Sequence, residues 1–257
     1  MSKPTVSPGP AWEKHFETEA TAYQIENAKK FIRGFLHSPF IQLPFQFAHL
    51  APNRRVLEAG CASGKFSVAF AMLGCDVTAL DFSPAMLENA AQLKARVEAA
   101  QPLRMRFVQG DLENLDLGSS QFDLVINEGV VEHWLDHTER RRVLENMARV
   151  VKPGGALAII IPNGAHPFAE DWIAHHPAFL SAPPMVRYDP QLLADDLNTI
   201  GLSDLFIDGI YAWRTIDQWG SNRVRQMIGG ALQRLIPLPR NLRLRWGTHL
   251  IGMGRKL

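Results

Sequence analysis

Val56-Leu57-Glu58-Ala59-Gly60-Cys61-Ala62-Ser63-Gly64 reads as a short apolar strand that ends in a carboxylate and passes straight into a turn of small residues. Gly60 and Gly64 permit a tight turn and let a ligand approach the backbone with no side chain between. Lys65 to Leu73 follows with helical spacing. A strand, a bare turn and a helix are therefore predicted in succession, the arrangement that offers backbone N–H groups to a nucleotide. A dinucleotide fingerprint G-x-G-x-x-G begun at Gly60 needs glycine where the chain has Ala62 and Lys65.

The 257 residues, 46% of them apolar, suit one large α/β domain. Residues 1–10, with three prolines and one glycine, read as a disordered leader; residues 11–257 read as a single domain. Apolar runs such as Ala156 to Ile161 are too short to span a bilayer and no signal pattern opens the chain, so a cytoplasmic location is expected. The two cysteines, Cys61 and Cys75, fit neither a disulfide framework nor a metal knuckle. Charge is segregated: residues 218–257 hold eight Lys or Arg and no acid, so the whole-chain charge of +1 leaves about −7 on residues 1–217.

Outward from the turn, strands are predicted at Asp76–Leu80, Met105–Gln109, Phe122–Ile126, Ala156–Ile161, Asp204–Ile210 and Gly247–Gly254. Ser83-Pro84 caps a helix running to about Ala99, Thr138 caps a helix that Lys152-Pro153-Gly154-Gly155 stops, and Pro190–Ile200 is helical. Amphipathic helices within Trp12–Leu36 precede the first strand, Pro39 and Pro44 break that pattern, and Asn222–Ile236 is a basic helix. Strands alternating with helices imply a parallel sheet. Asp81 ends the second strand, where in a doubly wound sheet a carboxylate accepts ribose hydroxyls, with Phe82 and Met86 near enough to pack on a base. Glu58, Asp81, Asp111 and Asn127 all fall at carboxyl ends of strands, where open α/β sheets bind ligands.

The Glu58-x-Gly60-x-Ala62-x-Gly64 pattern, departing only at Ala62 from acidic-x-G-x-G-x-G, resembles motif I of the class I S-adenosylmethionine (SAM) dependent methyltransferases, of the small-molecule, type 11-like group. The KPGG stop is a further likeness, and the resemblance covers Arg54 to Ile161. It implies a Rossmann-like, doubly wound seven-stranded α/β sheet with an antiparallel last strand. The core would be 54–161, with N-terminal helices (11–50) and a C-terminal helical insertion (162–246) forming lid and pocket. It also implies SAM as cofactor, with S-adenosylhomocysteine (SAH) as product. The cofactor would lie on Glu58, Gly60, Cys61, Ala62 and Gly64. Asp111 and Leu112 would take the adenine, and Asn127 and Glu128 would border the crevice.

His133, one turn beyond the fourth strand, resembles the histidine that many such enzymes aim at the methyl group, and an ordinary imidazole suits a general base near neutrality. Packing is the other reading of His133. Phe16, Tyr23, Trp134, Trp172, Tyr188 and Trp213 are the candidate lid and acceptor-pocket residues, with Trp12 closing from above; core packing also accounts for many aromatics. Glu132 and Asp136 read as solvated helix-end charges, and His175-His176 as a loop, so no metal is expected. The expected activity is methyl transfer to a small, partly apolar acceptor. Asn127-Glu128-Gly129-Val130 lacks the Asn/Asp-Pro-Pro-aromatic motif of enzymes that methylate base amines, so nucleic acid is disfavoured. The alternatives are a SAM sensor or pseudoenzyme without turnover, or a lipid or RNA substrate, with the basic segment 222–245 as a peripheral membrane contact. Oligomeric state is not legible.

Overall fold

The computed structural model describes residues 9–19, 27–98, 102–170, 183–213, 232 and 236–257. In order they form α1 (Gly9–Glu19), α2 (Ala28–Phe35), α3 (Pro39–Phe47), β1 (Arg55–Ala59), α4 (Lys65–Met72), β2 (Asp76–Asp81), α5 (Pro84–Glu98), β3 (Met105–Gln109) and β4 (Phe122–Glu128). A 3₁₀ turn (Val131–His133), α6 (His137–Val150), β5 (Val151–Pro162), α7 (Pro190–Thr199), β6 (Ser203–Ile210), α8 (Arg240–Trp246) and β7 (His249–Arg255) follow.

The seven strands make one sheet in the order β3-β2-β1-β4-β5-β7-β6. β1 to β5 run parallel, and β7 lies antiparallel between β5 and β6. The order reverses between β1 and β4, so the loops leaving those two strands diverge and open a crevice. Alternate residues feed opposite faces, as the two-residue period of a strand requires. Leu57, Val125, Leu157, Ile159 and Ile161 pack toward α6 and α7. Val56, Leu124, Ile126, Ala158 and Ile160 pack with Ile32 of α2, Ile41 of α3 and Phe66 and Phe70 of α4.

Local expectations shift in instructive places. Pro39 does not end a helix but opens α3 at its first turn, behind Ser38, and Pro44 lies inside it. The α6 cap is Asp136, whose Oδ1 accepts from the N–H groups of Thr138 (2.8 Å) and Glu139 (3.0 Å), so Asp136 is a cap and Thr138 is not. Lys152-Pro153-Gly154-Gly155 stops α6 but belongs to β5, in an irregularity between the Phe122↔Val151 and Leu124↔Ala156 pairs. α1 starts at Gly9 rather than after residue 10, because Pro10 is tolerated in a first turn. The basic helix expected over 222–236 lies almost wholly outside the described residues. Beyond it, Arg240 donates to the Ile207 carbonyl and Arg243 pairs with Asp208, so both charges serve the β6 edge.

Tyr188 lies in the core. Its hydroxyl donates to Asp196 (2.5 Å), which also receives Arg140 Nε at 2.9 Å, and the guanidinium sits over the Tyr188 ring. This buried trio ties α6 to α7, and Tyr188 borders neither of the two cavities over the turn after β1. Burial and the Asp196 carboxylate push the Tyr188 hydroxyl well above its ordinary pKa. Asp196→Ala would strand a buried guanidinium, so it is expected to cost about 3–5 kcal/mol, read as a lower urea midpoint with an unchanged slope.

Candidate functional site

The turn after β1 is held by backbone hydrogen bonds and one carboxylate. The Gly60 and Cys61 N–H groups both donate to the Leu80 carbonyl at 2.8 Å, and Asp81 Oδ2 accepts the Ala62 N–H at 2.8 Å while Oδ1 accepts that of Ser83 at 3.0 Å. Gly60 has φ +80°, and a Cβ there would stand 2.7 Å from Val130, so that position admits no side chain. Ala62, at φ +42°, takes the left-handed conformation its neighbours reach as glycine. Below the turn, Glu58 Oε2 accepts the Ser67 N–H (2.7 Å) and the Ser67 hydroxyl, clamping strand to helix. Burial raises its pKa to about 8 despite those bonds and the Lys65 charge.

Two cavities meet over this turn. One, of about 240 Å³, is bordered by Glu58, Cys61, Ala62, Ser63, Lys65, Glu128, Glu132, His133, Met185 and His249. The other, of about 230 Å³, is bordered by Gly110, Asp111, Leu112 and Trp134 together with Gly9 and Glu13 of α1. Trp12, Gly60, Asp81, Phe82 and Val130 line both.

The far wall of the larger cavity is the turn after β4. His133 is buried, its ring edge-on to Trp12 with centroids 4.8 Å apart, and its Nδ1–H donates to the Pro184 carbonyl at 3.1 Å. That bond assigns the tautomer and makes Nε2 the basic nitrogen. Burial lowers the pKa to about 4, so the ionisation near neutrality expected for an ordinary imidazole is displaced and the ring is neutral at pH 7. Glu132, expected to be solvated, is buried instead: Oε2 finds no hydrogen-bond partner among the described residues, and desolvation, with a smaller push from Glu128, lifts its pKa to about 8. Glu128 pairs with Lys65 at 3.1 Å across the cavity.

The structure thus gathers Glu58, Gly60, Cys61, Ala62, Asp81, Phe82, Asp111, Leu112, Glu128 and His133 around one crevice, with Gly64 just behind against Ala90. Others fall elsewhere. Asn127 does not face the crevice: its amide donates to the Ala59 carbonyl (2.6 Å) and accepts from the Val131 N–H (3.2 Å). Met86 is fully buried and lines neither cavity. Trp134 borders the smaller cavity, its Nε1–H on Glu113 at 2.8 Å, rather than standing with His133. Trp213 donates to the Ile236 carbonyl away from both cavities. Phe16 lies on α1, while Tyr23, Trp172 and His175-His176 lie outside the described residues. Among the described residues no three His, Cys, Asp or Glu cluster as metal ligands, and no helix is long and apolar enough to cross a membrane. Lys65, Val130, Met185 and His249 were not anticipated. Lys65 had a signal in its place directly after Gly64; the other three come together only through the tertiary fold.

Residues 57–159 match the family model described as a methyltransferase domain. A malonyl-[acyl-carrier protein] O-methyltransferase of Pseudescherichia vulneris is 30% identical over 197 residues, 76% of this chain and 65% of that protein. A demethylmenaquinone methyltransferase of Paenarthrobacter aurescens is 32% identical over 121 residues, 47% of this chain and 42% of that one. The chain spans between 37% and 65% of the length of the curated relatives it matches. Among solved structures, phosphoethanolamine N-methyltransferase 2 of Haemonchus contortus, in complex with S-adenosyl-L-methionine, superposes with a TM-score of 0.62 at 15% identity, over all of this chain and 61% of that one. That likeness shows the fold.

The two buried carboxyls give the ligand-free protein a pH signature. Their folded pKa values lie above the ordinary 4.5, so the stability they lend is whole below about pH 4.5 and is lost as the pH climbs through about 8. His133 acts with the opposite sign, its contribution whole above about 6.5 and lost as the pH falls through about 4. Between about pH 6.5 and 8.5 the contribution of His133 is constant while that of the two carboxyls is lost, so the urea midpoint is expected to fall across that window, and Glu58→Gln or Glu132→Gln to flatten the fall.

Proposed function

We propose that this chain, whose residues 57–159 belong to the methyltransferase domain family of class I SAM-dependent enzymes, binds SAM across the two cavities and moves its methyl group to a small, partly apolar acceptor. The observation that carries the reading is the position of Asp81, a carboxylate on the border shared by both cavities, just where a ribose joins a base to an amino-acid tail. The residues fit the cofactor. Asp111, Leu112 and Trp134 border a slot that would take adenine, Asp81 would accept the ribose hydroxyls, and the turn with no side chain at Gly60 leaves room for the tail. Lys65, held by Glu128, is the ammonium at this end that its carboxylate would share.

Bound there, SAM supplies a methyl group on a positively charged sulfur, open to in-line displacement by an acceptor lone pair. The protein's task is to hold the acceptor behind that methyl and keep water out. Trp12 roofs both compartments from α1, the lid role assigned on sequence to the helices before the first strand. His133 offers a neutral Nε2 on the acceptor side. A nitrogen that weakly basic orients an acceptor O–H or N–H and takes its proton only as the acceptor becomes acidic in the reaction.

Calorimetry tests the cofactor assignment. SAH is expected to bind and NAD not, and Asp81→Ala to weaken SAH by about 2–4 kcal/mol, the loss of hydrogen bonds to a charged acceptor. NAD binding without SAH binding overturns the reading. With an acceptor found by methyl-labelled SAM, His133→Ala is expected to lower turnover about 10²-fold at nearly constant SAH affinity, and the wild-type rate to show no ionisation of this residue between pH 6 and 8. Full activity in the variant would leave His133 as packing.

A further inference from the structure

One side chain bordering the larger cavity carries a polar atom that nothing in the fold explains. Glu132 is 2% exposed and lines the cavity, and its Oε2 has no hydrogen-bond partner among the described residues. A buried carboxyl oxygen left without a partner costs stability, and every other acid of this wall has an evident task. Glu58 clamps Ser67, and Glu128 pairs with Lys65.

Its place separates it from the cofactor turn. Glu58 lies in β1 and bonds Ser67 of α4, whereas Glu132 stands in the 3₁₀ turn after β4. The Glu132 carbonyl accepts the Val186 N–H at 2.7 Å, which roots it in the segment that brings Met185 to the cavity, opposite the Gly60 turn. The cations nearby are already engaged, Arg140 beside Tyr188 by Asp196. The wall's ammonium, Lys65, is already paired with Glu128, and His133 next door is neutral at pH 7. An anionic group brought there meets uncompensated carboxyls, and a cationic one relieves them.

We infer that the Glu132 carboxyl is the seat of an ammonium group on the acceptor, so that the methyl acceptor of this protein is an amine carried on an apolar body that packs against the indole of Trp12. This rests on the methyltransferase reading and adds the acceptor's class to it. In the empty site the Glu132 carboxyl keeps its proton, consistent with a pKa of about 8. As R–NH₃⁺ enters, that proton leaves to solvent and a carboxylate–ammonium pair remains, one positive charge in and one out; to free the lone pair the ammonium returns one proton to Glu132, and R–NH₂ taking the methyl of SAM gives R–NH₂CH₃⁺ and SAH, with no other reactant.

The test uses the full chain saturated with SAH and three isosteric probes, 2-phenylethylammonium, 2-phenylethanol and phenylacetate. Infrared difference spectra read the protonated-carboxyl stretch, and Glu132→Gln separates the Glu132 band from that of Glu58. The ammonium probe is expected to bleach the Glu132 band and to bind about tenfold more tightly than the alcohol or the acid. Glu132→Gln is expected to keep SAH affinity within about twofold and to abolish both the bleach and the preference. Loss of the band on adding SAH alone would assign the seat to the cofactor's own ammonium and overturn the inference. A band unmoved by saturating 2-phenylethylammonium, or phenylacetate binding as tightly, overturns it too. The probe affinities of the wild type decide the matter if the variant does not fold. Failure of SAH to bind the wild type would instead refute the methyltransferase reading.

Discussion

Beneath the crevice, the side-chain amide of Asn127 donates to the Ala59 carbonyl at the end of β1 and accepts the Val131 N–H beyond the end of β4. The sheet reverses its order between these two strands, so their chains part company there and leave main-chain polar groups with no ladder partner. One buried amide answers both, and so fixes how far apart the Gly60 turn and the 131–133 turn stand. Val130 then closes on Gly60 with no room for a Cβ, and Glu132 and His133 take their places on the far wall. Asn127 is thus the floor of the site rather than part of its lining.

What could be read from the chain divides along the line between local and non-local causes. The strand-turn-helix at Val56 to Leu73 and the carboxyl-end acids follow from periodicity and from the Gly60–Gly64 pattern, because each is decided within about twenty residues, whereas the seven-stranded sheet with its antiparallel last strand is implied only by the family resemblance. Asp136 replaced Thr138 as the α6 cap for a reason that spacing alone does not reveal: both are good caps two residues apart, and the choice rests on where the preceding turn leaves the backbone. Tyr188 and Glu132 misled in opposite directions. An aromatic in an irregular stretch suggested a pocket and instead anchors a buried ion pair with residues 8 and 48 positions away, while a glutamate beside a histidine suggested solvent and instead lies inside. Burial is a property of the assembled fold, and residue type carries little of it.

The electrostatics follow from that burial. Glu58 and Glu132 share a crevice with Asp81 and Glu128, and burial raises Glu58, Glu132 and Asp81 above the ordinary carboxylate range. Desolvation is the largest cause in each, so these groups are costly to ionise in an empty site and readily ionised beside a cation. A sulfonium ligand is a cation. The crevice is poised for positive charge before any arrives, and the hydrogen bonds from Ser67, Ala62 and Ser83 hold Glu58 and Asp81 in place so that little reorganisation is required.

Trp12 belongs to both cavities and leans edge-on against His133, though it stands more than forty residues before β1 in the chain. A single ring on the border of two compartments makes them share one wall. Moving it would reshape both together, so the form of the whole crevice depends on where α1 rests, a segment far from β1 to β4 in sequence.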